Sequence, residues 1–287
     1  AVAGLAGSLR LSPEALAAGI HEIANENMAG AARVHIAERG RDPRRYALVC
    51  TGGGGPVHGY GVARKLGISR LLCPPSPGVA SAWGLLVAPA RVDRVATVGF
   101  RLDTGALAEF EAAFRQLEAE ARAVVAATGL PLDGASIDRL GDGRCVGQGF
   151  DLVTPLPPGP YDGEASRAAL HAAFAAAYRE KFGRAPPAVP LEFINARVSV
   201  RVSVAGGRIA GIDAGGALAE AVKGRRPAWF AEAGGFTEAT VYDRDRLSAG
   251  ARFTGPALVE DAGSTLVIGP AGNAEVMPSG SIVVTLN

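Results

Sequence analysis

Only three of the 287 residues are cysteine, Cys50, Cys73 and Cys145, and no two of them form a CxxC pair. That spacing supports neither a disulfide framework nor a cysteine zinc site, and a reducing cytoplasm is the expected compartment. Charge of one sign is also missing: 29 Lys+Arg stand against 28 Asp+Glu, a formal net charge of +1. A protein that holds nucleic acid or anionic lipid by bulk attraction is therefore not expected. No apolar run reaches the roughly 18 residues of a membrane span, and the N-terminus has no charged region followed by an apolar one. The 39 Gly and 19 Pro fall at breaks between periodic apolar segments, so they punctuate a fold and do not form a low-complexity tract. The length suits one large or two ordinary domains. The chain opens on Ala1, not Met, which points to a piece of a longer polypeptide.

Ser12, Pro13 and Glu14 give a helix start: a capping oxygen, a proline in the first turn and an acid at the positive dipole end. The helix is expected to run to Gly40, with Leu16, Ile20, Ile23, Ala24, Ala31 and Val34 as its packed stripe and Asn27 as a polar amide on that stripe. Tyr46 to Cys50 reads as a buried strand, Thr51 to Pro56 as a glycine loop, and Val57 to Leu66 as a helix ended by Gly67. A strand over 68–73 and a small-residue helix over 79–87 follow. Further helices are expected over 105–128, capped by Thr104, and over 164–182. The alternation of Ile194, Ala196, Val198, Val200, Val202 and Val204 with polar residues predicts a half-buried strand, and short β-like runs dominate from Phe236 onward.

The loop Gly52-Gly53-Gly54-Gly55 is the feature richest in chemistry. Four residues without Cβ let the main chain approach a ligand and adopt positive φ, and the helix start behind them adds free N–H groups and partial positive charge. His58, near the first helical turn, is within reach of the same ligand. The same residues also suit a tight strand-to-helix connection with no ligand. Pro56-Val57-His58 follows the glycines where a Walker A loop requires Lys and Ser/Thr. A dinucleotide fingerprint fails because no register places its third glycine, and Leu66 through Ala90 contains no Asp or Glu to hold a ribose. There is no Gly-x-Ser-x-Gly elbow. His21 and His35 lie about 21 Å apart along a helix and cannot share a metal; no metal ligands stand out elsewhere. His171 reads as a helix-surface residue and Cys50 as a buried inert thiol. Asp243-Arg244-Asp245-Arg246 reads as a solvated turn. Packing and hydrogen bonding suffice for Asn195, Arg197 and Gln148.

The series Asn25-Glu26-Asn27-Met28, Arg39-Gly40-Arg41-Asp42-Pro43, Gly52 to His58, Pro74 to Gly78 and Ser81 to Leu86 resembles the hydantoinase A/oxoprolinase family. So do Val146 to Leu152, Phe182-Gly183, Glu192 to Arg197, Val241 to Arg244 and Gly255 to Glu260, in the same order over nearly the whole chain. The resemblance implies an α/β and α+β chain. Residues 1–95 would be the second-half segment of an actin-like (ribonuclease H-like) ATPase domain, and 96–287 the family's C-terminal α+β domain with a β-rich end. It further implies ATP-dependent opening of a cyclic amide, a hydantoin or 5-oxoproline, with ATP and Mg2+ as cofactors. A hydantoinase B-like partner and the missing N-terminal half of the chain would complete the enzyme. ATP would be bound by Thr51, Gly52, Gly53, Gly54, Gly55 and Pro56, with His58 and Asn27 as the candidate catalytic residues. Related members carboxylate ketones by the same activation, and an idle subunit-assembly module is the other alternative. Asp213-Ala214-Gly215-Gly216 imitates the family's first phosphate loop but comes after the second one and is followed by the helix-like Ala217 to Val222, so the fragment would lack half an ATP site.

Overall fold

The computed structural model describes residues 2–203, 212–213 and 215–287. Their helices are α1 (Val2–Leu9), α2 (Pro13–Ala37), α3 (Gly55–Leu66), α4 (Ala80–Val87), α5 (Leu107–Ala127) and α6 (Glu164–Phe182). The strands up to the second long helix pair are β1 (Leu48–Val49), β2 (Arg70–Cys73), β3 (Ala90–Arg101), β4 (Ser136–Cys145), β5 (Leu152–Pro155) and β6 (Leu191–Val202). The remaining strands are β7 (Val222–Phe230), β8 (Gly235–Asp243), β9 (Arg252–Thr254), β10 (Ala257–Asp261), β11 (Ser264–Ile268), β12 (Gly272–Val276) and β13 (Ile282–Leu286). The architecture is mixed α/β, with three sheets among the described residues. Two compact units divide it, 1–86 with 207–287, and 87–206. Among the described residues, no helix is long and apolar enough to cross a membrane.

In the discontinuous unit, β1 and β2 are parallel neighbours joined through α3, and β13 continues their sheet antiparallel, pairing Val284 with Leu71. The five-stranded order is β1-β2-β13-β12-β9, and a second sheet runs β11-β10-β8-β7. Leu71, Leu266, Ile268, Ile282 and Val284 bury the apolar faces of both sheets in one cluster, each side chain contributing about 1.5–3 kcal/mol on leaving water. Helix α3 closes on β1 and β2 because Gly59 has no side chain: a Cβ there would stand 2.2 Å from the Cys50 Sγ. Gly67, at φ +67°, ends the helix in the left-handed conformation.

The continuous unit is a four-stranded antiparallel sheet, β3-β6-β4-β5. Its core is aromatic, with Phe110 and Phe114 of α5, Phe174 of α6 and Phe193 of β6 all fully buried. The alternation expected along β6 holds for Ala196, Val198, Val200 and Val202 but changes phase at Ile194. There β6 bulges, with Asn195 facing Asp142 while Phe193 faces Gly143, so Leu191 and Phe193 take the inward places on the other parity. Val204, the last residue of the expected alternation, lies outside the described residues, as does Ala214 of the phosphate-loop imitation.

Several local expectations are corrected. Ser12 caps α2 by accepting from the Ala15 N–H at 3.1 Å, but the packed face is not the large apolar stripe. Leu16 of the expected stripe is buried and Ala24 half-buried, but Ile20, Ile23 and Val34 are exposed, while Asn25 and Ala29 are buried, with Ala18 and Ala32 beside them half-buried. Small residues face α3 because a close helix approach leaves no room for larger ones. Thr104 does not cap α5, whose N-cap is Ala106. No residue of α4 is buried. The segment Leu218–Ala221 is a single 3-10 turn. Arg244 does not lie in a solvated turn: it is buried and donates to the Cys73, Pro74 and Gly280 carbonyls at 2.7–3.1 Å.

Candidate functional site

Main-chain geometry at the end of β1 sets the site. The Cys50 N–H donates to the Leu72 carbonyl at 2.8 Å, the last tie to the sheet before the chain leaves it. Gly52 then turns at φ +83° and donates its N–H to the Pro77 carbonyl at 2.7 Å. A side chain on Gly53 would stand 3.3 Å from the Gly263 carbonyl oxygen, and one on Gly78 would stand 3.0 Å from it. The glycine loop, the Pro74–Gly78 loop and the turn between β10 and β11 therefore meet at one point.

The four glycines have different reasons to be glycine. Gly52 needs the left-handed conformation and Gly53 a close approach. Gly55, the first residue of α3, would meet only ordinary contacts with Cys50. Gly54 has neither constraint: its φ is −90°, and a Cβ built on it would find nothing within 4 Å. Thr51, Gly52, Gly53 and Gly54 are exposed, Gly55 is half-buried and Pro56 is buried in the first turn of α3. Among the described residues, the N–H groups of Gly53 and Gly54 donate to nothing. Unspent donors at the start of α3 make a surface suited to an anion.

His58 sits one turn into α3, half-buried. Its Nδ1 lies 2.9 Å from the Oδ1 of Asn25, which is fully buried. The Asn25 Nδ2 lies 3.2 Å from the Nδ1 of His21, and the two imidazoles stack with centroids 4.8 Å apart. Burial first, and His21 second, hold the His58 imidazolium below the ordinary histidine range, so His58 is neutral at pH 7. Asn27 is exposed, about 200° around the helix from Asn25, and is not brought to His58. Sequence reasoning found the loop and His58 but missed Asn25, His21 and the Gly263 turn. The small-residue line through Ala18, Asn25, Ala29 and Ala32 was the available signal for the first two.

The other candidates are structural. Burial, with Cys73 nearby, pushes the Cys50 thiol up to about 12, leaving it inert. Asn195 and Arg197 both hold Asp142, Gln148 accepts from the Cys145 N–H, and His171 is exposed. Among the described residues, no group of three or more His, Cys, Asp or Glu is placed to hold a metal ion.

Comparison with known proteins places this geometry. An uncharacterised protein of Methanocaldococcus jannaschii is 34% identical over 94% of the chain and 38% of its own length. The caprolactamase subunit alpha of Pseudomonas jessenii is 27% identical over 98% of the chain and 41% of its own length. The solved structure of the ATP-dependent caprolactamase superposes with a TM-score of 0.77 at 26% identity, over 98% of the chain and 41% of that structure. A nucleotide-free acetone carboxylase shares the fold, with a TM-score of 0.78 at 23% identity over the whole chain and 42% of its own. The chain thus spans about two-fifths of the length of the curated relatives it matches. Residues 1–94 match the hydantoinase/oxoprolinase pattern and residues 102–279 its C-terminal domain, so the chain belongs to the hydantoinase/oxoprolinase family.

Proposed function

We propose that this chain is the later part of an ATP-dependent enzyme that opens a cyclic amide, and that its glycine loop grips the nucleotide. The observation that carries the reading is Gly54: exposed, unstrained and with open space where a side chain would go. It holds the N-cap of α3, where Ser, Thr, Asp or Asn would fit and would add a capping oxygen, so the fold alone gives no strong reason for glycine. A ligand lying on the main chain would supply one. Bound there, ATP would supply the phosphoryl group that turns an unreactive amide carbonyl into an electrophile for water. The residues of this chain bind and orient. The Gly53 and Gly54 N–H groups donate to phosphate oxygens, each bond contributing about 1.5–3 kcal/mol, and the Gly52 turn holds them in place. His58 keeps its Nδ1 on Asn25, leaving Nε2 as the nitrogen that can take a proton.

On this reading, 1–95 is the second-half segment of an actin-like domain, 96–287 is the family's C-terminal part, and more protein covers the exposed apolar side chains. Leu85 is 80% exposed, Leu86 67% and Ile23 64%. Such surface supports a preceding half of the same chain and a hydantoinase B-like subunit as partners. The test is ATP titration of the intact enzyme with Gly54→Val, alongside ring-opening assays on hydantoin, 5-oxoproline and caprolactam. ATP affinity should fall roughly tenfold to a hundredfold. Unchanged affinity, or bicarbonate-dependent consumption of a ketone in place of ring opening, would overturn the reading.

A further inference from the structure

The bridge between the two imidazoles is an amide, and an amide has one accepting end and one donating end. Whichever way Asn25 is turned, the ring at Oδ1 must present Nδ1–H and the ring at Nδ2 must present a bare Nδ1. As placed, His58 is the donor at 2.9 Å and His21 the acceptor at 3.2 Å. A proton added to His58 goes to Nε2 and leaves the bridge intact. A proton added to the Nδ1 of His21 meets the amide N–H, so Asn25 must turn over, and His58 must then switch to the other neutral tautomer, losing the Nδ1 proton to solvent and taking one from solvent at Nε2. Protonating both rings breaks the bridge and puts two like charges in stacked rings 4.8 Å apart.

We infer that Asn25 makes His21 and His58 a one-proton pair: the neutral rings hold opposite tautomers, and Asn25 is the positioning residue that sets which one charges. Asn25 has little freedom to leave. It is fully buried, and Gly61 admits it closely, since a Cβ on Gly61 would stand 2.5 Å from its Nδ2. The His21 ring and the Asn25 amide border a cavity of about 310 Å³ whose other titratable groups hold one another. Lys65 pairs with Glu22 at 3.0 Å and Glu26 at 3.3 Å, while Glu232 takes Arg64 and the Tyr60 hydroxyl. The inference needs no bound nucleotide, so it stands or falls apart from the ATP reading.

The chain has four histidines, few enough to follow each imidazole by NMR as the pH is lowered. At pH 8 the nitrogen shifts should show Nδ1–H on one ring of the pair and Nε2–H on the other. One proton should enter the pair first, with the second displaced downward by about one pH unit or more, a tenfold weaker uptake. Asn25→Asp, nearly isosteric, gives both rings an acceptor and should raise the second step by a similar amount. Gly61→Ala displaces the amide and should make the two curves independent. Identical tautomers, independent single-site curves in the unmodified chain, or no movement of the second step in Asn25→Asp would each overturn the inference. The first two need no variant to fold.

Discussion

The glycine-loop region and the sheet-and-helix unit of residues 87–206 treat polar groups in opposite ways. In the latter, charge taken out of water is matched. Arg139 donates to Glu111 and Glu118 at 2.6 Å each and lies over the Phe114 and Tyr161 rings. Asp142 accepts two bonds from Arg197 at 2.7 Å and one from Asn195 at 2.8 Å. At the loop, main-chain donors stand idle at the surface while Gly52, Pro77 and Gly263 fix their frame. Ionised side chains matched in this way describe architecture, although the Ser199 hydroxyl of β6 is buried there without a partner among the described residues. Exposed donors in a fixed frame are what the proposed nucleotide site would use.

The sharpest break of that comparison is Arg139→Met. Removing one partner leaves Glu111 buried without its main counter-charge, and about 3–5 kcal/mol of stability should go. Urea denaturation reads it, while the ATP affinity of the intact enzyme should not change. A loss below about 1 kcal/mol would mean the network is ornamental. Within the loop, Gly52→Ala forces a side chain into positive φ and should cost about 1–2 kcal/mol. Gly54→Ala should fall within about 0.5 kcal/mol of the parent. Equal losses at the two positions would remove the distinction on which the binding reading rests.

Acid should reveal the paired unit a third way. Arg197 chiefly, with Asn195 adding and burial opposing, holds the Asp142 carboxyl below the ordinary aspartate range. A depressed folded pKa gives stability that is present above the unfolded value, near 3.9, and is lost as pH falls through the folded one. The urea midpoint should therefore drop between pH 5 and pH 2, and Asp142→Asn should show a smaller drop from a lower start. Parallel acid losses in the two proteins would show that Asp142 is not the group responsible.

What could be read ahead of the structure was local. The glycine loop and helix over 51–66 follow from neighbouring residues, as do the Ser12 cap and the parity of Ala196 to Val202. The buried strand expected over Tyr46 to Cys50, by contrast, is only Leu48–Val49, with Tyr46 and Val49 exposed. The turning face of α2 could not be read, because apolar size pointed to Ile20, Ile23 and Val34 while close packing selected Ala29 and Asn25. Nor could the phase change at Ile194, which depends on the opposing residues of β4. Arg244 looked solvated because its acceptors, the Cys73, Pro74 and Gly280 carbonyls, come from distant parts of the chain. Gly263 is in the same position: only the pairing of β2 with β13 and of β10 with β8 brings its turn to Gly53 and Gly78.

The smallest expected effect separates the loop from the thiol beside it. Cys50 lies two residues before Gly52, where a nucleophile would be convenient, yet its Sγ packs against Gly59 and the side chain is buried. A thiol held near pKa 12 is almost wholly protonated at pH 8, and the thiolate is the reactive form. Alkylation of the native chain at pH 8 should leave Cys50 unmodified, with labelling only in denaturant. Cys50→Ala removes a sulfur from a packed contact, so a modest loss of stability and no change in ATP affinity should follow. Rapid native labelling of Cys50, or loss of nucleotide binding in the alanine variant, would move the chemistry off the main-chain amides and onto the side chain next to them.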